Sequence, residues 1–257
     1  MDLKIAGRTA VVCASTAGLG EGVARALAAE GANVVVTGRR AELAKSIAAE
    51  LPSAVGLGVD MMSEGAPEQI VQAATDAFGP VDILVLNGPG PKPGTALEAT
   101  TEDIETAVDS LIRPQQKLVS LVVDGMRERG WGRILSMSST SLVEPLPLLT
   151  LSNVGRAALG AYLKTLATQV AQDGVTVNLL LPGGFRTARR DANEAIKAQR
   201  TGRTAAEIQA EEAAQIPIRR FGSVPEFGAV AAFLCSDLAS YITGTAVRCD
   251  GGLVHSL

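Results

Sequence analysis

The sequence is poor in the residues that announce several common chemistries. It has one histidine, His255, and three cysteines, Cys13, Cys235 and Cys249, with no Cys-x-x-Cys pair. So small and scattered a set supplies neither a disulfide framework nor a zinc site, and no metal is expected. Aromatic residues make up only 3% of the chain. No apolar run reaches the roughly 20 residues that cross a bilayer, and the opening MDLKIAGRTAVVC lacks the apolar stretch of a signal peptide. A surplus of positive charge is missing too: 23 Lys+Arg stand against 27 Asp+Glu, for a net charge of −4. Nucleic acid and anionic membranes are therefore not expected as partners. A cytoplasmic protein with reduced thiols is the expectation.

What the chain does have is an apolar fraction of 47% over 257 residues. That is enough for one large domain to bury roughly three quarters of its unfolded surface. Short Val- and Ile-rich runs at 9–13, 33–37, 54–59, 81–86, 133–137, 175–181 and 246–249 read as strands. Ala-rich or amphipathic stretches at 21–30, 41–51, 67–78, 101–110, 115–128, 153–172 and 225–234 read as helices. Continuous apolar strands joined by helical crossovers predict an α/β fold, a doubly wound parallel sheet forming a single Rossmann-type domain over 1–257. The polar stretch 188–215, broken by Gly202, predicts a helical insertion at the sheet's carboxyl edge, a substrate lid at about 186–216. Such sheets bind ligands beyond the carboxyl ends of the strands, where the strand order reverses.

The residues at those ends point to a dinucleotide. The turn Cys13-Ala14-Ser15-Thr16-Ala17-Gly18-Leu19-Gly20 is small enough for backbone N–H groups to approach a phosphate at a helix start, although Ala14 replaces the usual first glycine. The second strand ends Gly38-Arg39-Arg40. A carboxylate there would bind a ribose 2′-OH, whereas guanidinium groups suit a 2′-phosphate, so NADP(H) is expected over NAD(H). Asp60 can accept a bond from an adenine amino group, and Asn87-Gly88-Pro89-Gly90 forms a turn that lets a cofactor pass close to the backbone.

These pieces, with Asp82 to Asn87, Gly132-Arg133-Ile134, Ser138-Ser139, Pro182-Gly183-Gly184-Phe185-Arg186-Thr187, Arg220-Phe221-Gly222 and Asp250-Gly251-Gly252, make the chain resemble the short-chain dehydrogenase/reductase family over essentially its full length. The resemblance implies that Asn87 and Gly88 line the adenosine side of the cofactor. It implies that Pro182, Gly183 and Thr187 sit near the nicotinamide and pyrophosphate, with Ser15, Leu19 and Phe185 also in the cofactor site. Relatives of this kind commonly form tetramers, so a homotetramer or homodimer is implied, through helices like 115–128 and 153–172.

The resemblance breaks at the chemical centre. The family uses Ser, Tyr, Lys and an upstream Asn. With Ser139 as the Ser, Ser152 stands where the Tyr belongs, Arg156 where the Lys belongs, and Leu111 where the Asn belongs. Neither Tyr162 nor Tyr241 is followed four residues later by Lys or Arg. The working expectation is a carbonyl/alcohol oxidoreductase in which Ser139 donates to the substrate oxygen, Ser152 relays a proton with or without a water, and Arg156 holds the ribose and stabilises negative charge. Two alternatives stand beside it: an NADP(H)-binding sensor or scaffold without turnover, and a non-redox, dehalogenase-like lyase on the same fold. Arg186, Arg189 and Arg190, with Arg156, raise the prospect of an anionic or carrier-linked small-molecule substrate.

Overall fold

Val-, Ile- and Leu-rich segments form the seven strands of one sheet in the computed structural model, which describes residues 1–256. They are β1 (Thr9–Val12), β2 (Asn33–Gly38), β3 (Ala54–Gly58), β4 (Ile83–Leu86), β5 (Gly132–Met137), β6 (Val175–Pro182) and β7 (Ala246–Cys249). Every pairing is parallel, in the order β3-β2-β1-β4-β5-β6-β7. The order reverses between β1 and β4, whose register sets Val11 beside Leu84.

Successive side chains of a strand point to opposite faces, and both faces of this sheet are covered. Val12, Val34, Val36, Ile83 and Val85 pack against α1 (Gly18–Ala29), α2 (Ala41–Ala49) and α9 (Val224–Leu234). Val11, Val35, Leu84, Ile134 and Val177 pack against α3 (Ala66–Phe78), α5 (Arg113–Glu128) and α6 (Thr150–Val170). The doubly wound arrangement read from the sequence is the one observed.

Helix starts depart from the sequence expectation more than strands do. α1 begins at Gly18, three residues before its expected start, so its first turn contains Gly18, Leu19 and Gly20. α6 begins at Thr150 instead of 153 and takes Ser152 into its first turn. α4 (Thr101–Leu111) runs into α5 with only Ile112 between them. Pro114 in the first turn of α5 breaks the pair there, because proline has no N–H to donate back to Ser110 O. The polar stretch forms two helices, α7 (Ala188–Thr201) and α8 (Ala205–Gln215), parted at Gly202, whose φ of 66° lies in the left-handed region. Among the described residues no helix is long and apolar enough to cross a membrane, and no cluster of three His, Cys, Asp or Glu could hold a metal.

Candidate active site

The turn after β1 is built by hydrogen bonds from its neighbours. Ala14 N–H donates to Thr37 Oγ1 at 3.1 Å, and Asn87 Nδ2 donates to Ala14 O at 3.3 Å. The turn carries Ala14 at φ 47°, in the left-handed region. α1 can then enter beneath it only with glycine at 20, where a Cβ would lie 2.6 Å from Ala14 O. No side chain caps α1. Its first-turn N–H groups, which have no partner within the helix, face the turn with the positive end of the dipole.

In front of this turn lies a cleft of about 830 Å³. Ala14, Thr16, Gly18, Leu19 and Gly20 form its floor. Arg39, Arg40 and Asp60 stand at one end, Asn87 and Gly88 in the middle, and Arg156, Pro182 and Thr187 at the other. Arg40 Nη2 donates to Thr16 O at 3.1 Å, which holds that side chain at the rim, while Arg39 is exposed. A Cβ on Gly38 would sit 2.6 Å from the Thr16 side chain, so a carboxylate cannot stand at 38 unless Thr16 moves. Asp60 accepts from Met62 N–H at 3.0 Å.

Three of the expected cofactor residues do not border this cleft. Ser15 is fully buried: its hydroxyl donates to Val12 O at 2.7 Å and accepts from Thr37 N–H at 3.0 Å, so it ties β1 to β2. Gly183 and Phe185 border a second cavity instead. The Phe185 ring is buried edge-on against Phe227, 5.3 Å away.

That second cavity, about 560 Å³, lies between the carboxyl ends of β5 and β6, the start of α6 and the α7–α8 hairpin. Ser139, Ser152 and Arg156 all border it. Ser139 Oγ accepts from Ser141 N–H at 3.1 Å, and Ser152 Oγ accepts from Arg156 Nε at 3.0 Å. N–H groups can only donate, so each serine keeps its own hydroxyl proton for a ligand. Arg156 also donates to Met137 O through Nη1 at 3.3 Å. Burial, and then the neighbouring Arg189 guanidinium, lower its pKa from the usual arginine value. An arginine nevertheless stays protonated, so it cannot act as an acid.

The other candidate proton donors lie outside. Tyr162, on α6, packs against the core, where burial raises its pKa, and Tyr241 is fully exposed. Neither is among the residues bordering the two cavities. Leu111 is buried at the end of α4, with Cδ1 2.6 Å from where a Cβ on Gly155 would stand, and fills space where a polar group was looked for. His255 is exposed in the tail. Burial pushes the Cys13 and Cys235 thiols up to about 12, which makes them inert.

The three lid arginines differ in role. Arg186 Nη1 reaches the buried Glu194 carboxylate at 3.1 Å, and Arg190 Nη1 reaches Glu212 at 2.7 Å. Arg190 thereby holds α7 on α8, and Arg186 also reaches α8 through Gln209 Oε1 at 3.2 Å, so two of the three arginines raised as anion contacts are already engaged within the lid. Arg189 is exposed and borders both cavities. Sequence reasoning quoted Ser138 as part of the resemblance but gave it no role, yet it is buried, borders both cavities, and has no partner for its hydroxyl among the described residues. Its place at the end of β5 was the available signal. It also passed over Met61 and Met62, which border the cleft next to Asp60.

A family model described as Enoyl-(Acyl carrier protein) reductase matches residues 13–254. The chain is 34% identical over 254 residues to the oxidoreductase UcpA of Salmonella typhimurium, covering 97% of this chain and 95% of that protein. It is 32% identical over 253 residues to dehydrogenase/reductase SDR family member 4 of Oryctolagus cuniculus, covering 96% of this chain and 94% of that one. The crystal structure of L-sorbose reductase from Gluconobacter frateurii, complexed with NADPH and L-sorbose, superposes with a TM-score of 0.93 at 32% identity, over 100% of both chains.

Proposed function

The chain belongs to the short-chain dehydrogenase/reductase family, and on that premise we propose that it is an NADP(H)-dependent oxidoreductase whose carbonyl or alcohol substrate meets Ser139, Ser152 and Arg156 in place of the family's Ser-Tyr-Lys set. The observation that carries the reading is that those three side chains border one cavity, which adjoins the cleft at Arg156, with both serine protons uncommitted. The cleft fits the cofactor on its own terms. The uncapped start of α1 suits a pyrophosphate, and Arg39 and Arg40 suit a 2′-phosphate. Gly38, packed under the Thr16 side chain, supplies no carboxylate of the kind an NAD site uses. NADPH in the solved L-sorbose reductase supports the same choice.

When bound, a reduced nicotinamide supplies a hydride with its electron pair. The chain's part is to polarise the carbonyl and stabilise the alkoxide. Ser139 and Ser152 donate to the substrate oxygen as charge develops, and Arg156 holds Ser152 Oγ and adds a fixed positive charge. An aliphatic hydroxyl is too weak an acid to supply the final proton unaided, so water delivers it through Ser152. The α7–α8 hairpin forms the lid over this site.

Binding and NADPH oxidation across a ketone and aldehyde panel test the proposal. NADPH binds at least about tenfold more tightly than NADH, and Arg39→Gln removes most of that margin. Ser139→Ala and Arg156→Ala each lower kcat by roughly a hundredfold. Turnover unchanged in both variants would falsify the site assignment. The position of both tyrosines outside the cavities favours a second reading, an NADP(H) sensor, which tight binding without turnover over the whole panel would establish.

A further inference from the structure

Charge within the second cavity is unevenly matched. Glu194 and Glu212 are each held by lid cations: Glu194 by Arg186, and Glu212 by Arg190 at 2.7 Å and Lys197 at 2.9 Å. Arg156 and Arg189 border the same cavity with no carboxylate in ion-pair reach among the described residues. They are close enough for Arg189 to push the Arg156 pKa down. Two like charges side by side, Arg156 part-buried and Arg189 exposed, repel each other, and an anion between them relieves that repulsion. A guanidinium has five N–H donors, and Arg156 uses Nε and Nη1 on the protein.

We infer that Arg156 and Arg189 together hold the carboxylate of a small keto or hydroxy acid, so that the substrate of this site is an anion. The inference rests on the oxidoreductase reading for the reaction, but not for the binding. Ser152 keeps its single hydroxyl proton for the ketone oxygen, so the carboxylate is held by the two guanidinium groups. Leu149, Phe185 and Pro91 provide an apolar wall for the carbon skeleton. Arg186 and Arg190 take no part, because Glu194 and Glu212 already engage them. The cofactor has its own anion contacts at Arg39 and Arg40, at the far end of the cleft, and at the start of α1, which packs beside Thr187.

Calorimetric titration of the NADPH-saturated protein with pyruvate, acetoacetate and levulinate, each beside its methyl ester, reads the inference directly. The ester keeps the ketone and removes the charge. At least one acid binds about tenfold or more tightly than its ester, and Arg189→Gln removes most of that margin. Arg200→Gln, which deletes the same charge in the last turn of α7, keeps it. Acids that bind no better than their esters overturn the inference. So does an Arg189→Gln variant that loses NADPH affinity while the acid-to-ester ratio persists, since Arg189 would then serve the cofactor's pyrophosphate. Acid-selective binding without turnover upholds the anion site and rejects the oxidoreductase reading; turnover of the esters alone does the reverse.

Discussion

Ala14 shows how a residue with a Cβ can fill a glycine position while keeping the glycine's conformation. The sequence marks it as the missing first glycine of the turn; the structure keeps the glycine's backbone, with φ at 47°. A left-handed conformation costs a residue with a Cβ roughly 1–2 kcal/mol. Ala14→Gly removes that strain but frees the unfolded chain, so the net gain is about 1 kcal/mol, or a rise in Tm of about 2–4 °C. Thermal melts check it, and a lower Tm in the variant contradicts it. Other residues read differently once the fold brings their partners into reach. Ser15 resembles a phosphate ligand until Val12 and Thr37 are seen to occupy its hydroxyl. Arg186 and Arg190 look free until Glu194 and Glu212 come into contact with them.

At the scale of elements, local signals fixed strands better than helix starts. Strand edges were legible because uninterrupted apolar runs end where burial ends, as at Leu86 in β4. The start of α1 was not, because Gly18 and Gly20 have poor helix propensity and read as turn, while tertiary packing makes them helical. The start of α9 was legible from Pro225, and its stability has a pH signature. Arg220 pairs with Glu226, and the Ser223 backbone N–H and hydroxyl also donate to it, holding its carboxyl down from 4.5 to about 2. The folded state therefore binds that proton less readily than the unfolded chain. The stabilisation is complete above the unfolded pKa and is lost as pH falls toward the folded one. Glu226→Gln accordingly lowers Tm at about pH 6, and the gap from the parent protein narrows as pH drops below about 4.5. Melts across that range measure it, and a gap that stays constant down to about pH 3 counts against the assignment.

For the whole molecule, the two halves of the sheet meet at the cofactor end, and a contact between distant helices locks them there. α1 comes from the first half of the chain and α9 from its last part, yet they lie together on one face of the sheet. Glycines allow the approach. A Cβ on Gly228 would fall 2.7 Å from Gly22 O and 3.1 Å from the Ala26 side chain. Nothing local in the sequence reveals this, because a helical glycine reads only as a propensity cost of about 1 kcal/mol. The backbone oxygen cannot move aside as a flexible side chain would, so Gly228→Ala must push α9 away from α1. Overpacking of this kind costs roughly 1–3 kcal/mol, which for a chain this size lowers Tm by several degrees. The displacement also reaches the proposed pyrophosphate contact, because the same helix carries the uncapped first turn beneath Ala14. The variant should lose NADPH affinity as well as stability, although position 228 borders neither cavity. Calorimetry and melts on the one variant separate the outcomes. A lower Tm with unchanged affinity means α1 holds its place and α9 alone yields; no change in either means the helices do not meet as closely as 2.7 Å implies.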